Sequence, residues 1–500
     1  MVSECCIQDL KRFSILGVLL GLVAATFAGE GRVNWTHLSN LKGDLPRADV
    51  GRQAASLILD IDKDGINDFV IAGRSKQTSM VWFRWTSEGW DRYLIDNRRS
   101  HIEAGGTYRA KGAWWDRRFK YRLPVRIGAT GVQRIDKPVE VGVDFAAELK
   151  RLRAGELISE GSIRVVEVAS DGRVIDDSVA FQFDGASPDG ARSSTRGKLT
   201  FMLKGTTAPS STRTFHVYFG GPKNLGHCEF EGLVAATDNV QHEGQDSIKI
   251  ATNNATYYYH KKGAAFATLE DRDGNDWLGY HPGVGAISQS GSGGKYRGLP
   301  NMGHPEGYCH PGNTVSSSRI VSRGPIKVTI ASESDDGKMK CRWDIFPDYA
   351  RLTVLKMRTP YWFLYEGTPG GRFEMDSDFC VRATRPAGLR TAASVKWDGD
   401  ISNPGEAGEW LYFADPVVNR SLFLVRHEDD EAVDSYWPMN NEMTVFGFGR
   451  QGLNKFMRTV PAQFTIGLCD DCSYSEVSKI VNSAYGDLVI RVGPVEALDR

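Results

Sequence analysis

Residues 114–127 read WWDRRFKYRLPVRI, and from Tyr121 to Ile127 apolar and polar side chains alternate. Alternation with a period of two is typical of a strand that buries one face. The pattern recurs before residue 222, with turn signals such as Ser170-Asp171-Gly172 between the runs, in residues 138–143, 162–168, 198–203 and 214–219. Short strands at this spacing predict a β-sandwich accessory domain over residues 114–222.

The composition agrees with a mostly β fold. The 500 residues include 54 Gly, 12 Trp, 17 Tyr and 23 Phe. Many turns and many large flat side chains favour short strands over helical bundles. The formal net charge is −1, with 61 Lys+Arg against 62 Asp+Glu, which excludes a broadly basic nucleic-acid binder. An acidic ligand must therefore be held by a few local cations.

Strand-like runs continue through residues 228–500, where we expect a larger antiparallel β-sandwich that serves as the catalytic domain. One helix is predicted around Ser475–Tyr485, because a capping serine, Ser473, precedes apolar residues at helical spacing. The predicted fold class is all-β with one short helix near the C-terminus. In its length and its many strand-like runs, this stretch resembles the "supersandwich" domains of mutarotase-like proteins and polysaccharide lyases.

A short acidic motif lies nearer the N-terminus, with aspartates at alternate positions and Gly65 at the bend. Such a loop suits a hard cation such as Ca²⁺, which prefers oxygen ligands. Ile71 stands where an EF-hand would need a glutamate, and the flanks are strand-like, so the loop is expected to join two strands. The predicted ligands of a structural calcium ion are Asp60, Asp62, Asp64, Ile66 and Asp68.

The acidic loop resembles the calcium loops of FG-GAP/VCBS β-propeller repeats, and residues 33–110 resemble one such repeat. Because a closed propeller needs at least four blades, a single copy predicts a partial, propeller-like segment. Residues 114–500 are similar in texture to large secreted bacterial proteins that combine such modules with polysaccharide-degrading machinery. This resemblance implies a carbohydrate-active protein, and it assigns no catalytic residue.

The N-terminus predicts export. Lys11-Arg12 precede an apolar run from Phe13 to Ala28, which has the charge pattern and length of a secretory signal. We expect residues 1–28 to be removed, and the mature chain to be secreted, periplasmic or at the cell surface. No later stretch is apolar enough to span a membrane.

Six cysteines follow the predicted signal, and an oxidising compartment permits disulfides among them. Cys469 and Cys472 have C-x-x-C spacing without a second such pair or a thioredoxin-like context. They predict a local disulfide or two buried thiols and argue against a redox centre.

The densest group of reactive side chains lies between Trp277 and Gly312, where three of the ten histidines fall in a glycine-rich loop. Long loops of this kind often carry function. The alternative is that these histidines only cap strands or bind backbone carbonyls. The predicted catalytic residues are His281, Tyr296, Arg297, Asn301, His304 and Tyr308, and the predicted substrate contacts in this loop are Tyr280 and His310.

These residue types suit β-elimination on a uronic-acid polysaccharide. In that reaction a cation or amide neutralises the carboxylate, a base removes the acidified proton, and an acid assists the leaving oxygen. The candidates for these roles, in that order, are Arg297 or Asn301, His281 or His304, and Tyr296 or Tyr308.

Two other chemistries could use residues of the same loop. Zinc at His304 and His310, with Cys309 or His281, is not expected, because the six-residue step matches no familiar zinc signature. Glycoside hydrolysis would need two carboxylates, for which Glu306 and Glu366 are the nearest candidates.

A second patch follows a predicted strand at residues 360–372 and combines aromatic residues with a glycine-rich turn. Flat rings suit the apolar faces of sugars. Alternatively, the alternating Tyr361, Phe363 and Tyr365 form one face of a core strand. The predicted substrate-binding residues of this patch are Tyr361, Trp362, Tyr365, Glu366 and Arg372.

The sequence therefore predicts an exported protein that binds a polysaccharide, most simply a polysaccharide lyase that cleaves a uronic-acid-containing glycan. A non-catalytic glycan-binding or adhesion protein with structural calcium is the alternative. No nucleic-acid partner is expected.

Overall fold

The structure is a computed structural model in which residues 45–50, 53–63, 66–73, 78–86, 89–96, 114–152, 160–185, 195–222, 230, 232–278, 298–302, 315–383, 388–401 and 408–498 are described. The chain divides into two compact units, Met1–Arg117 with Val166–Asp177 and Arg118–Val165 with Ser178–Arg500. Antiparallel sheets account for most of the described structure, which confirms the all-β prediction.

The first unit contains a four-stranded sheet whose strands are neighbours in chain order: Gln53–Leu59, Asp68–Gly73, Met80–Thr86 and Gly89–Asp96. Its core includes Phe69 and Phe83, whose rings stack with centroids 4.6 Å apart. Leu59 pairs with Asp68, so the acidic loop joins the first two strands. Strands Arg164–Val168 and Val174–Asp176 form a hairpin whose residues 166–177 belong to this unit.

The second unit begins with a small sandwich. One of its sheets contains Arg134–Asp144, Arg196–Thr207 and Phe181–Gly185, and the other contains Tyr121–Gly128 and Thr212–Phe219. Alternate residues of these strands, such as Leu123, Val125 and Ile127, are buried between the sheets. The C-terminal strands Val489–Val492 and Glu496–Ala497 also pair with Tyr121–Gly128. The small sandwich thus includes strands from beyond the predicted range of residues 114–222. Pairing between such distant segments leaves no local sequence pattern, so these strands were not predicted to belong to it.

A nine-stranded antiparallel sheet forms one layer of the large sandwich. Its strands, in spatial order, are Ser316–Arg323, Val328–Ser334, Met339–Ile345, Tyr349–Met357, Ala462–Cys469, Arg420–Arg426, Glu409–Asp415, Phe379–Arg382 and Leu389–Ala392.

Two smaller sheets form the opposite layer. The four-stranded sheet contains Val234–His242, Gln245–Thr252, Ala255–His260 and Ala265–Asp271. The five-stranded sheet contains Asn301–Met302, Phe363–Gly367, Met443–Phe448, Asp434–Met439 and Trp397–Gly399. Residues of all three sheets share one buried core, which includes Tyr257, Trp343 and Phe363. A short hairpin, Arg450–Gln451 with Asn454–Lys455, completes the described strands.

Residues 298–302 join the two smaller sheets. Leu299 exchanges backbone hydrogen bonds with Phe266 of the four-stranded sheet, and Asn301 pairs with Leu364 of the five-stranded sheet. Of the glycine- and histidine-rich segment predicted to be a loop, the described residues 298–302 therefore lie between the two smaller sheets.

Two α-helices occur in the described chain. Helix α1, Phe145–Arg151, was not predicted, and it begins where the Asp144 carboxylate accepts a hydrogen bond from Ala147 N (2.9 Å). Helix α2, Tyr474–Tyr485, confirms the predicted helix and buries Val477 and Val481 against the nine-stranded sheet. Short 3₁₀ turns lie at Glu160–Ser162 and Pro369–Gly371. No helix in the described ranges is long and apolar enough to cross a bilayer.

The two sandwiches of the second unit meet through buried charges. Lys327 Nζ lies 3.0 Å from both Glu140 Oε1 and Asp184 Oδ2, and Arg351 also pairs with Glu140. The charges of Arg351 and Lys327 hold the pKa of Glu140 far below its usual value, although burial opposes this. This network fixes strand Arg134–Asp144 on the large sandwich.

Four cysteines lie in the described structure, and all are free thiols. Cys469 is buried, and Cys472 Sγ lies 3.1 Å from the carbonyl oxygen of Arg420. The C-x-x-C pair thus takes the second of the two predicted forms, two unbridged thiols, and Cys341 and Cys380 are buried in the core.

Candidate functional site

Most of the predicted catalytic loop lies outside the described residues. That holds for His281, Tyr296, Arg297, His304, Tyr308, Tyr280, His310 and the hydrolase candidate Glu306. Asn301 is described and is 2% exposed, and its side-chain amide donates to the carbonyl oxygen of Gly298 (2.6 Å). Asn301 thus stabilises the backbone conformation of its own segment. Its burial does not support direct contact with a substrate.

The aromatic patch lies in the core. Tyr361, Trp362 and Tyr365 are at most 1% exposed, and the Tyr365 hydroxyl donates to the carbonyl oxygen of Trp277 (2.7 Å). A ring buried on both faces cannot stack on a sugar. The alternation in this strand therefore marks a core face, as the alternative interpretation of the patch predicted. The predicted stacking of these rings on a sugar is corrected by their burial. Glu366 is also buried, which removes it as a solvent-facing substrate or hydrolytic carboxylate in this structure.

Arg372 differs from the rest of that patch because its side chain is 85% exposed and pairs with Glu374 (2.8 Å). It remains accessible to a ligand, and no other described residue of the predicted patch shares its exposure.

The acidic loop of the first unit brings three predicted ligands together. One carboxylate oxygen each from Asp60, Asp62 and Asp68 lies within 4.8 Å of the others. Asp68 is buried and accepts a hydrogen bond from Ile61 N (3.2 Å), and burial raises its pKa. Asp62 forms an ion pair with Arg84. Ile66 is half-buried in the same loop, whereas Asp64 lies outside the described residues. Three converging carboxylates are a donor set that fits a hard cation.

A cavity of about 370 Å³ opens where the small sandwich, helix α2 and the large sandwich meet. Its lining includes Lys137, Asn254 and Tyr349. Among the described residues, two cations and six acidic side chains line it, and the acids are Asp136, Asp271, Asp348, Asp470, Asp471 and Glu476. Pockets at such junctions, with converging polar groups, are common ligand sites.

Lys137 is the chemically unusual member of this lining. It is 8% exposed, and its amine donates to the carbonyl oxygen of Ala484 at the end of helix α2. Burial, together with the nearby positive charges of Arg134 and Arg351, lowers the pKa of Lys137 to about 7. A lysine with such a pKa is largely an uncharged amine just above neutral pH, and an uncharged amine is a base.

The neighbouring groups are held in place. The side-chain amide of Asn254 donates to Asp348 Oδ1 (2.6 Å), and Lys137 Nζ lies 5.8 Å from the centre of the Tyr349 ring. Burial raises the pKa of Tyr349, so its hydroxyl keeps its proton. Arg420 is committed to three carboxylates, Asp271 (2.7 Å), Asp273 (2.7 Å) and Asp470 (2.9 Å).

A second group of titratable residues lies around Glu409 and Arg426. These residues pair at the opposite end of strands Glu409–Asp415 and Arg420–Arg426 from Arg420, which lines the cavity. Glu409 and Asp434 are fully buried, and burial raises the pKa of both carboxyl groups. Arg426 Nη1 lies 3.6 Å from Glu409 Oε2 and also pairs with Asp430. Asp434 accepts hydrogen bonds from Gly449 N (2.9 Å) and Ile401 N (3.2 Å). Because both acids are shielded from solvent, we assign this group to the core and place the ligand site at the cavity.

None of the residues that line the cavity was predicted from the sequence to be a site residue. Lys137 stands in an ordinary strand, and its surroundings come from Tyr349 and Ala484, which are far along the chain. The one available signal was the acidic pair Asp470-Asp471 between the two cysteines.

No family model matches the chain, and no curated protein matches it. Among solved structures, HI1317 is 13% identical with a TM-score of 0.34, covering 47% of this chain and 99% of its own. YeaD from Salmonella typhimurium, a "putative mutarotase", is 12% identical with a TM-score of 0.31, covering 46% of this chain and 92% of its own. Similarity at this level carries no argument about this chain.

Proposed function

We propose that the chain is an exported carbohydrate-active enzyme that cleaves a uronic-acid-containing glycan by β-elimination, with its sugar site in the cavity around Lys137. The supporting observation is a buried lysine with a pKa of about 7 in the wall of a cavity of about 370 Å³. Strongly shifted pKa values in a cleft are typical of catalytic groups.

The cavity holds the three kinds of group that this reaction needs. One N–H of the Asn254 amide donates to Asp348, and the other would donate to the substrate carboxylate, while the Lys137 amine takes the proton from the adjacent carbon. The electron pair of that C–H bond forms the new carbon–carbon double bond, and the bond to the leaving sugar oxygen breaks. Tyr349, which keeps its proton, donates it to that oxygen. The products are an unsaturated uronate and a shortened chain.

The size and charge of the cavity restrict the substrate. A volume of about 370 Å³ lies near the lower end of ligand pockets, so it suits the end of a glycan better than a long segment. The excess of carboxylates in the lining repels a polyanion. We therefore expect action on one terminal uronate at a time.

A second candidate function follows from the same excess of carboxylates. Six acids against two cations favour a neutral or amino-sugar glycan, whose hydroxyl and ammonium groups donate hydrogen bonds. In that case the chain is a non-catalytic glycan-binding protein.

A panel of polysaccharides separates these functions. With uronic-acid polymers, we expect new ultraviolet absorbance from the unsaturated product and new reducing ends in equal amounts. Binding to neutral or amino-sugar glycans on an array, without absorbance from any polymer, would replace the lyase proposal with the second candidate. New reducing ends without absorbance would indicate hydrolysis and contradict both.

We also propose that the acidic loop of the first unit binds a structural calcium ion. Asp60, Asp62 and Asp68 would supply carboxylate oxygens, with Asp64 and Ile66 completing the predicted set. The ion would tie the loop to strand Asp68–Gly73.

A chelator should lower the melting temperature of the wild-type chain, because a bound cation stabilises only the folded state. At a calcium concentration of about 100 times Kd, the expected stabilisation is roughly 2.7 kcal/mol. Asp60→Asn should remove the response to chelator, whereas Asp91→Asn, an exposed acid on the same sheet, should retain it. A wild-type melt that does not change on chelation would contradict the calcium proposal.

A further inference from the structure

Two histidines and a glutamate meet on the outer face of the four-stranded sheet. His242 ends strand Val234–His242, and His260 ends strand Ala255–His260. His260 pairs with Ser247, which in turn pairs with Val240. Paired residues share a face of the sheet, as do residues two apart in a strand, so the register places both histidines on one face.

The imidazoles are arranged as two ligands of one ion would be. His242 Nδ1 and His260 Nε2 are 3.3 Å apart. Zn²⁺ binds imidazole nitrogen at about 2.0–2.1 Å, so two nitrogens on one tetrahedral ion are about 3.3 Å apart. Without a metal, the same separation allows an N–H···N hydrogen bond between the two rings. The rings would therefore not have to move apart or together to bind one ion.

Glu243 supplies a third donor. It follows His242 in the hairpin turn and is exposed, and one ligand atom each from His242, Glu243 and His260 lies within 4.8 Å of the others. Two neutral imidazoles and one carboxylate suit a borderline dication such as Zn²⁺, and three protein ligands leave one coordination position open.

The surrounding residues orient the His242 ring. It stacks on the Tyr258 ring with centroids 4.0 Å apart and an interplanar angle of 17°. Its Nε2 lies 3.5 Å from Thr268 Oγ1, a weak contact of the kind that positions a ligating imidazole. Because His260 is 1% exposed, the group is closed on one side and reaches solvent at Glu243.

We infer that His242, His260 and Glu243 form a transition-metal site that takes Zn²⁺. It is separate from the proposed sugar site, because strand Ala255–His260 carries His260 at one end and is preceded at the other by Asn254, which lines the cavity. Failure of the zinc proposal therefore leaves the proposed sugar site intact, and the reverse also holds.

Zinc titration of the metal-stripped full chain, with calcium present in excess, tests the site by calorimetry. We expect one tight equivalent, lost in His242→Ala and weakened by more than about tenfold in Glu243→Gln. Glu243 lies on an exposed turn, so this second variant keeps the fold and preserves the test if His242→Ala does not fold. His216→Gln, a histidine outside the group, should bind zinc like the wild type.

Copper provides a spectroscopic check on the ligands. Electron paramagnetic resonance of one equivalent of Cu²⁺ should show hyperfine coupling to two imidazole nitrogens, and to one in His242→Ala. No tight zinc equivalent, an equivalent unchanged in both variants, or an equivalent lost in His304→Ala instead would overturn the proposal.

Discussion

Lys137→Met is expected to abolish turnover and to raise the free energy of unfolding at pH 7 by about 3 kcal/mol. The pKa of Lys137 falls from 10.5 to about 7 on folding, and each unit of such a shift corresponds to about 1.4 kcal/mol. Methionine removes this cost and fills a similar volume, at the loss of about 1 kcal/mol for the hydrogen bond to Ala484. A residue that costs stability is retained where function needs it.

The pH dependence of this gain in stability shows whether the lowered pKa of Lys137 is its cause. Because the unfolded lysine holds its proton up to about pH 10.5, the wild type gains stability relative to Lys137→Met as pH rises from 7 to 10. The advantage of the variant should therefore be greatest at or below pH 7 and should vanish near pH 10. Urea unfolding at several pH values measures it. A less stable variant at pH 7 would show that Lys137 serves only to hold the end of helix α2.

Lys327→Met is the matched control. Lys327 is as buried as Lys137, but its amine lies 3.0 Å from two carboxylates, and their charges raise its pKa although burial opposes this. Removing it leaves Glu140 and Asp184 without this partner, so this variant should lose about 3–5 kcal/mol. The free energy of unfolding should therefore rise in Lys137→Met and fall in Lys327→Met.

Glu409→Gln is expected to stabilise the chain at alkaline pH. Burial, followed by the nearby Asp434 carboxylate, raises the pKa of Glu409 well above its usual value. A raised carboxyl pKa contributes stability at low pH that is lost as pH rises above about 5. Glutamine cannot ionise, and its side-chain oxygen still accepts the hydrogen bond from Asp430 N (2.8 Å in the wild type).

The variant should unfold like the wild type at pH 4 and be more stable by at least about 2 kcal/mol at pH 8. Thermal and urea unfolding at the two pH values measure this difference. Asp344→Asn serves as the control. Its buried carboxylate lies closer to two arginines, at 3.0 and 3.5 Å, than Glu409 lies to Arg426, at 3.6 Å, so its neutralisation should cost stability. Equal stability of Glu409→Gln and wild type at pH 8 would contradict the raised pKa of Glu409.

Local patterns were sufficient to predict the strands and helix α2. Leu123, Val125 and Ile127 stand at alternate positions, and all three are buried as that alternation predicts. The alternation at Tyr361 and Tyr365 also left the core-strand interpretation open, and the burial of both rings agrees with it, whereas the aromatic composition of the patch suggested sugar binding.

The candidate sites depend on pairing between distant residues. Lys137 has a low pKa because strand Tyr349–Met357 and helix α2 enclose it, and no local feature of its own strand encodes that environment. His242 and His260 meet only because of the register of two hairpins. By contrast, the predicted ligands of the acidic loop are close in sequence, and three of them, Asp60, Asp62 and Asp68, converge as the spacing predicted.

Absorbance of the unsaturated product tests the central claim most directly. Wild-type chain and Lys137→Met are incubated with uronic-acid polysaccharides, and the absorbance is followed over time. The account predicts a steady increase with the wild type on at least one polymer, rising between pH 6 and 8 as the amine loses its proton, and no increase with the folded variant. No increase with the wild type on any uronic-acid polymer, or equal rates for both proteins, would contradict it.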